Sequence, residues 1–132
     1  MLSPSLAESI GGVTEPADLL RLPIIDPDDP WWPLWLKAAG LDPDAFKNRQ
    51  SSQLGAQILL ANSAIAGNGV AILTPAFHIE ALDTGRLIRP FDLTCNAGEA
   101  FYLVYPPARR NQPKIKRFRE WILNEMSDMQ FG

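Results

Sequence analysis

Cysteine and histidine are nearly absent from this chain of 132 residues, which holds one of each, Cys95 and His78. A single cysteine excludes an intramolecular disulfide, and the two residues cannot assemble a zinc cluster within one chain. No metal or cofactor is expected. Long apolar runs are missing too: nothing approaches the ~20 residues that span a bilayer, and MLSPSLAESIGG has no basic segment leading into an apolar one. No membrane partner is expected, and a reducing cytoplasm is the expected location. Charge of one sign is also lacking. Twelve basic against fifteen acidic residues leave a net −3, which gives no general attraction to a polyanion, so any role on DNA needs another segment.

What the chain does have is 46% hydrophobic and 20% charged residues, the balance of a globular chain. Proline and glycine punctuate it. Ser3 and Pro4 start a short helical reading that Gly11 or Gly12 stops. Glu15 to Leu20 allow one helical turn, and LPII suits a short buried strand. The Asp-Pro pairs of DPDDPWWPLWLKAAG open a helix that Gly40 closes. A short extended piece is expected at Ala45 to Arg49. With Ser51 or Ser52 as N-cap, Leu54, Ile58, Ala61 and Ile65 then recur at the spacing of one buried helical face. VAILTP, RLIRPF and AFYLVYP read as strands, with a short helix over Phe77 to Leu82 and a turn at Asp83 to Gly85. In KIKRFREWILNEM, Ile115, Phe118, Ile122 and Met126 share a face that should pack on a sheet. Strands alternating with helices make the expected class α/β.

The Gly-Asn-Gly at 67–69 invites a phosphate-loop reading, but such loops follow a strand and open a helix. Here the helix comes first. The glycines therefore meet helix-terminal carbonyls, and Gly67 is expected to be a left-handed helix stop. At the other end of that helix, the hydroxyls of Ser51 and Ser52 beside unpaired amides can hold a carboxylate, or merely cap the helix.

Trp31, Trp32 and Trp35 could form an exposed stacking platform, although Trp32 and Trp35 stand three apart as core residues do. ARRNQPKIKRFR gathers six basic residues, and its plain reading is a solvated face. Asp26, Asp28 and Asp29 do not fit a calcium loop and read as turn and cap residues. His78 with Glu80 or Asp83 could serve as acid and base. No Gly-x-Ser-x-Gly elbow accompanies them, and a structural histidine is the alternative.

Taken in order, SPSLAES, EPADLLRLPII, WWPLWLKAAG, SSQLGAQILLANSAIAGNGVAILTP, ALDTGRLIRPFDL, AFYLVYPP and the closing amphipathic helix resemble a family. The chain is similar to the C-terminal part of the effector-binding domain of LysR-type transcriptional regulators, especially the glycine-cleavage-activator-like group. The resemblance implies a periplasmic-binding-protein type II-like α/β fold. Residues 1–95 would form most of the second effector-binding subdomain, and 96–132 the strand and helix returning to the first.

It further implies a non-enzymatic sensor that takes a small, anionic effector in an inter-subdomain cleft and pairs as a homodimer or higher homo-oligomer. Ser51 and Ser52, with Thr74, Pro75 and Phe77 at the end of the following strand, are the implied effector-binding residues. DNA would be met only through a helix-turn-helix, which has no counterpart here. Nor has the opening half of the first subdomain, so the chain is expected to be a fragment or a truncated product that self-associates through uncovered strand edges. A ligand-free interaction module presenting the tryptophan segment is the alternative from another class.

Overall fold

The computed structural model describes residues 1–98 and 100–127. The chain divides into two compact units, Met1–Asn96 and Ala97–Gly132. In the first, four extended segments lie side by side with very little ladder. Val70 donates to Pro23 O and Ile25 to Val70 O, each at 2.8 Å, around a parallel bridge between Ile24 and Val70. On the other side Ala71 N meets Met1 O at 2.9 Å and the Met1 amino group meets Ala71 O at 2.7 Å. Leu2 and Ile88 then exchange bonds at 3.2 and 2.8 Å as an antiparallel bridge.

The predicted strands LPII, VAILTP and RLIRPF therefore survive as short contacts. Proline explains part of this brevity, since Pro23 and Pro90 bring no amide to a ladder. Gly69 explains how close the segments come: a Cβ there would stand 2.9 Å from Pro23 O and from Ile25 Cγ1. Only glycine lets the two backbones meet at that distance.

Helix α1 (Pro4–Glu8) starts as its sequence predicts, with Ser3 Oγ accepting from Leu6 N at 3.3 Å and proline in the first turn. A 3-10 turn, Pro16–Arg21, follows, its start fixed by the Asp18 carboxylate accepting from the Thr14 and Glu15 amides. Helix α2 (Trp31–Ala38) is opened by Asp29, whose Oδ1 accepts from Trp31 N at 2.9 Å. It closes at Gly40, which has φ +74°, while Leu41 N reaches back to Leu36 O. Helix α3 (Gln57–Ile65) ends in the same way: Gly67 has φ +82° and donates to Ala64 O, and Asn68 N reaches Ser63 O. This paired closure of the last carbonyls is what a left-handed glycine permits, so Gly-Asn-Gly is a helix stop.

Three expectations need correction. Helix α3 does not begin at Ser51 or Ser52, because Gln53 (φ +39°) and Gly55 (φ +66°) turn the backbone into the left-handed region and delay the first helical turn to Gln57. The buried face is Leu60, Ala61 and Ala64, with Leu54 and Ile65 packed against the same cluster, so of the expected face it is Ile58 that turns outward, 61% exposed. Residues 45–49 are turns, not an extended piece. Lys47 N bonds Asp44 O and Arg49 N bonds Phe46 O, which drives Phe46 into the core.

Two apolar clusters result. Leu2, Leu22, Ile24, Trp32, Leu36, Phe46 and Val70 are central to the first. Trp32 meets Phe46 edge-on at 4.9 Å and Trp35 at 6.2 Å. The tryptophan segment is thus core, with Trp35 Nε1 donating to Leu93 O at 3.3 Å. Ile25, Leu60, Ala61, Ala64, Ala71, Ala81 and Leu87 form the second cluster. Beyond α3 come a 3-10 turn, Pro75–Phe77, and helix α4 (Ile79–Asp83), so the single helix expected at 77–82 is split at His78.

In the second unit, helix α5 (Pro113–Ser127) enters at Pro113 as expected but buries no residue. Phe118 is 49% exposed, so the predicted apolar face is not a core face within this unit. Residues 101–104 are exposed, and no bridge joins AFYLVYP to a strand among the described residues. The basic stretch is solvated as read. Lys116 pairs with Glu120 at 3.8 Å, and Arg119 donates to the Tyr105 hydroxyl.

Candidate ligand-binding site

The first turn of α3 is the point on which the local geometry converges. Ala56, its N-cap residue, has no side-chain oxygen to offer. Its carbonyl accepts from Leu59 and Leu60, while the Gln57 and Ile58 amides find no acceptor among the described residues. Such amides carry the positive end of the helix dipole and suit an anion. Before them lies a depression of about 400 Å³, lined by Asp26, Asp29, Gln53, Gly55, Gln57 and Leu60 among others.

Gln57 connects this turn to the end of the 70–74 segment, its Oε1 accepting from Thr74 N at 2.9 Å. Thr74 and Pro75, a helix's length away in sequence, are thereby held beside the start of α3. Phe77 follows on the 3-10 turn and is half-exposed.

Ser51 and Ser52 lie before the turn instead of in it. Ser51 Oγ donates to Asp26 Oδ1 at 3.2 Å, which ties the 51–56 connector to the Asp-Pro loop. Ser52 lies on a separate, smaller depression of about 300 Å³ with Arg49, Gln50 and Asn68. Arg49 is structural there, its guanidinium donating to Leu20 O and Leu22 O at 2.7 and 2.9 Å and resting on the Phe46 ring. Of the expected site residues, then, the Gln57 contact brings Thr74 to the helix start. The serines reach only its approach.

Two groups were missed in the sequence. Gln57 reads as an ordinary helix residue until Gly55 is taken as the breaker it is. The aspartates read as caps, which Asp29 indeed is, but Asp26 and Asp29 also line the depression. Burial pushes the Asp29 carboxyl above its ordinary value, and the neighbouring Asp26 carboxylate adds to that, against the opposing hydrogen bond from Trp31 N. Amide donors on one side and carboxylates on the other make a site of two polarities.

The catalytic arrangement around His78 is not assembled. Glu80 is exposed and paired with Arg86 at 2.8 Å, and Asp83 is exposed. Burial also holds the Cys95 thiol above its ordinary value, which disfavours the reactive thiolate.

The family described as LysR substrate binding domain matches residues 1–127. Among curated relatives, the HTH-type transcriptional activator AmpR of Yersinia enterocolitica is 27% identical over 127 residues, 96% of this chain and 42% of that protein. The HTH-type transcriptional regulator TrpI of Pseudomonas aeruginosa is 28% identical, over 96% of this chain and 43% of its own length. The glycine cleavage system transcriptional activator of Escherichia coli K12 is 28% identical, over 92% and 39%. The chain thus spans about two fifths of these relatives.

A triply substituted effector binding domain from Citrobacter freundii superposes with a TM-score of 0.73 at 26% identity, covering 95% of this chain and 61% of that one. The effector domain of AmpR from Pseudomonas aeruginosa gives 0.67 at 24%, covering 96% and 59%. The fold class is accordingly periplasmic-binding-protein type II-like α/β, here with few strand contacts and mostly helical regular structure.

Proposed function

The chain belongs to the LysR substrate binding domain family, and on that basis we propose that it is the effector-sensing portion of a bacterial transcription regulator. The family is one of regulators, not enzymes, in keeping with the unassembled surroundings of His78. Residues 1–95 serve as most of the second effector-binding subdomain, and 96–132 as the segment returning to the first. The regulator works in the cytoplasm as a homo-oligomer and meets DNA through a helix-turn-helix outside this chain.

The effector is a small molecule whose anionic group sits at the first turn of α3, against the Gln57 and Ile58 amides. Asp26 and Asp29 stand across the same depression, so the effector also presents a hydrogen-bond donor or an ammonium to them. A purely anionic molecule would suffer their repulsion. Thr74, tied to Gln57, stands beside this turn with Pro75 next to it, Phe77 supplies an apolar contact, and Ser51 sets the approach by holding the Asp26 loop, with Ser52 next to it in the same connector. Such a ligand acts by favouring one arrangement of the subdomains over another.

The observation that carries this reading is the Gln57 to Thr74 bond, which unites two separate segments beside a helix start with unpaired amides. Binding to the native chain raises its melting temperature, so thermal-shift screening with amino acids and small dicarboxylates provides the test. Zwitterions should stabilise the chain, and Gln57→Ala should remove the effect. Stabilisation that is unchanged in Gln57→Ala would place the ligand elsewhere.

A further inference from the structure

His78 is a buried titratable group that the proposed ligand site does not use. It stands at the joint between the Pro75–Phe77 turn and α4, where its amide donates to Pro75 O at 2.9 Å and its carbonyl accepts from Leu82 N at 3.1 Å. The residue is 7% exposed, and Nε2 is buried with no hydrogen-bond partner among the described residues. A buried polar atom without a partner is uncommon in a native fold and calls for a reason.

Nothing around the ring is placed to stabilise its charged form. The Met1 amino group acts on the imidazole, but burial, with Arg89 beside it, lowers that amino group to about 5, so near neutral pH it is largely uncharged and takes its own proton only as the pH falls. Among the described residues Glu80 is engaged by Arg86, and Asp83 is exposed. A proton added to this ring would be a buried charge whose Nε2 has no acceptor.

We infer that His78 makes the joint between the 3-10 turn and α4 an acid-labile latch, closed while the imidazole is neutral and opened when it is protonated. The opening has defined consequences. Ala81 is packed in the second apolar cluster with Leu82 against it, and Ala81 O accepts from Leu87 N at 2.9 Å. Release of α4 therefore exposes these contacts together, as a local cooperative unit.

The sign follows from burial, which, with the amino group, holds the imidazole below its ordinary value of 6.5. As pH falls through that value the open form takes the proton first, so the closed form loses stability with acidification. Thr74 and Pro75 lie at the start of the same segment, so acid should also weaken effector binding. That consequence rests on the ligand-site reading; the opening itself does not.

Amide hydrogen exchange of this chain from about pH 7.5 to about pH 5, corrected for intrinsic rates, tests the latch. Protection of the Leu82, Thr84 and Leu87 amides should fall by up to about tenfold per pH unit below the ordinary imidazole value, relative to the Leu41 and Asn68 amides. His78→Phe and His78→Gln should both flatten that difference. A parallel loss across all amides, or an equal local loss in the variants, would overturn the inference. Should neither variant fold, ring NMR of the wild-type histidine decides: titration below 6.5 supports the latch, and titration at or above 6.5 removes it.

Discussion

In Met1–Asn96, helix α2 hides Trp32 and Leu36 almost completely, whereas in Ala97–Gly132 helix α5 buries nothing and leaves Trp121 52% and Leu123 63% exposed. Both helices carry apolar residues at helical spacing. What separates them is the company each unit supplies. Around α2, the turns at 44–49 deliver Phe46 and the 93 carbonyl receives Trp35, so its apolar stripe meets side chains on several sides. Within the second unit, the Tyr105 hydroxyl accepts from Arg119 of α5, while the Phe118 to Trp121 ring contact at 5.6 Å lies within the helix itself. Periodicity thus identifies the face that suits burial, but the burial itself depends on tertiary partners.

Mutations can break this contrast, and the largest effect is expected where packing is tightest. Phe46→Ala should cost about 3–5 kcal/mol in chemical denaturation, because a fully buried ring leaves a cavity against Trp32. Gly69→Ala should cost about 1–3 kcal/mol by the same measurement, since the new Cβ meets the Pro23 carbonyl, which is backbone and cannot swing aside, as well as the Ile25 side chain. Trp121→Ala should change stability by no more than about 0.5 kcal/mol, as exposed side chains contribute little. A Trp121→Ala loss comparable to that of Phe46→Ala would mean that α5 is packed as firmly as α2, and the comparison would fail.

Much of the first unit was legible because its signals are local. Ser3 with Pro4, Asp29 before Trp31, and the glycines at 40 and 67 each specify a turn or cap through their own backbone, and each stands where the residues indicate. The start of α3 was not legible from serine preference alone. Gln53 occupies the left-handed region, a conformation that a non-glycine residue adopts only when its surroundings require it. The Ser51 to Asp26 bond joins residues 25 apart and cannot be seen in either neighbourhood.

The strands were over-read for a related reason. Apolar runs such as VAILTP are consistent with a long ladder, but their pairing is limited by what lies alongside, and here it amounts to isolated bridges. The candidate site was half-visible. Thr74 and Pro75 were expected from the family resemblance, whereas Gln57 and the two lining aspartates emerge only once the connector at 51–56 is seen to bend back toward the Asp-Pro loop.

The central claim is that the first turn of α3 receives the effector. Amide chemical-shift mapping of this chain, titrated with the zwitterion that gives the strongest thermal stabilisation, tests it most directly. The largest changes should fall on Gln57, Ile58 and Thr74, with smaller ones at Asp26 and Asp29, and Gln57→Ala, which frees Thr74 from the helix start while leaving the backbone amides in place, should weaken binding about 10-fold, the worth of one hydrogen bond. Changes centred on Arg49, Gln50 and Asn68, with Gln57 and Ile58 unmoved, would contradict the account.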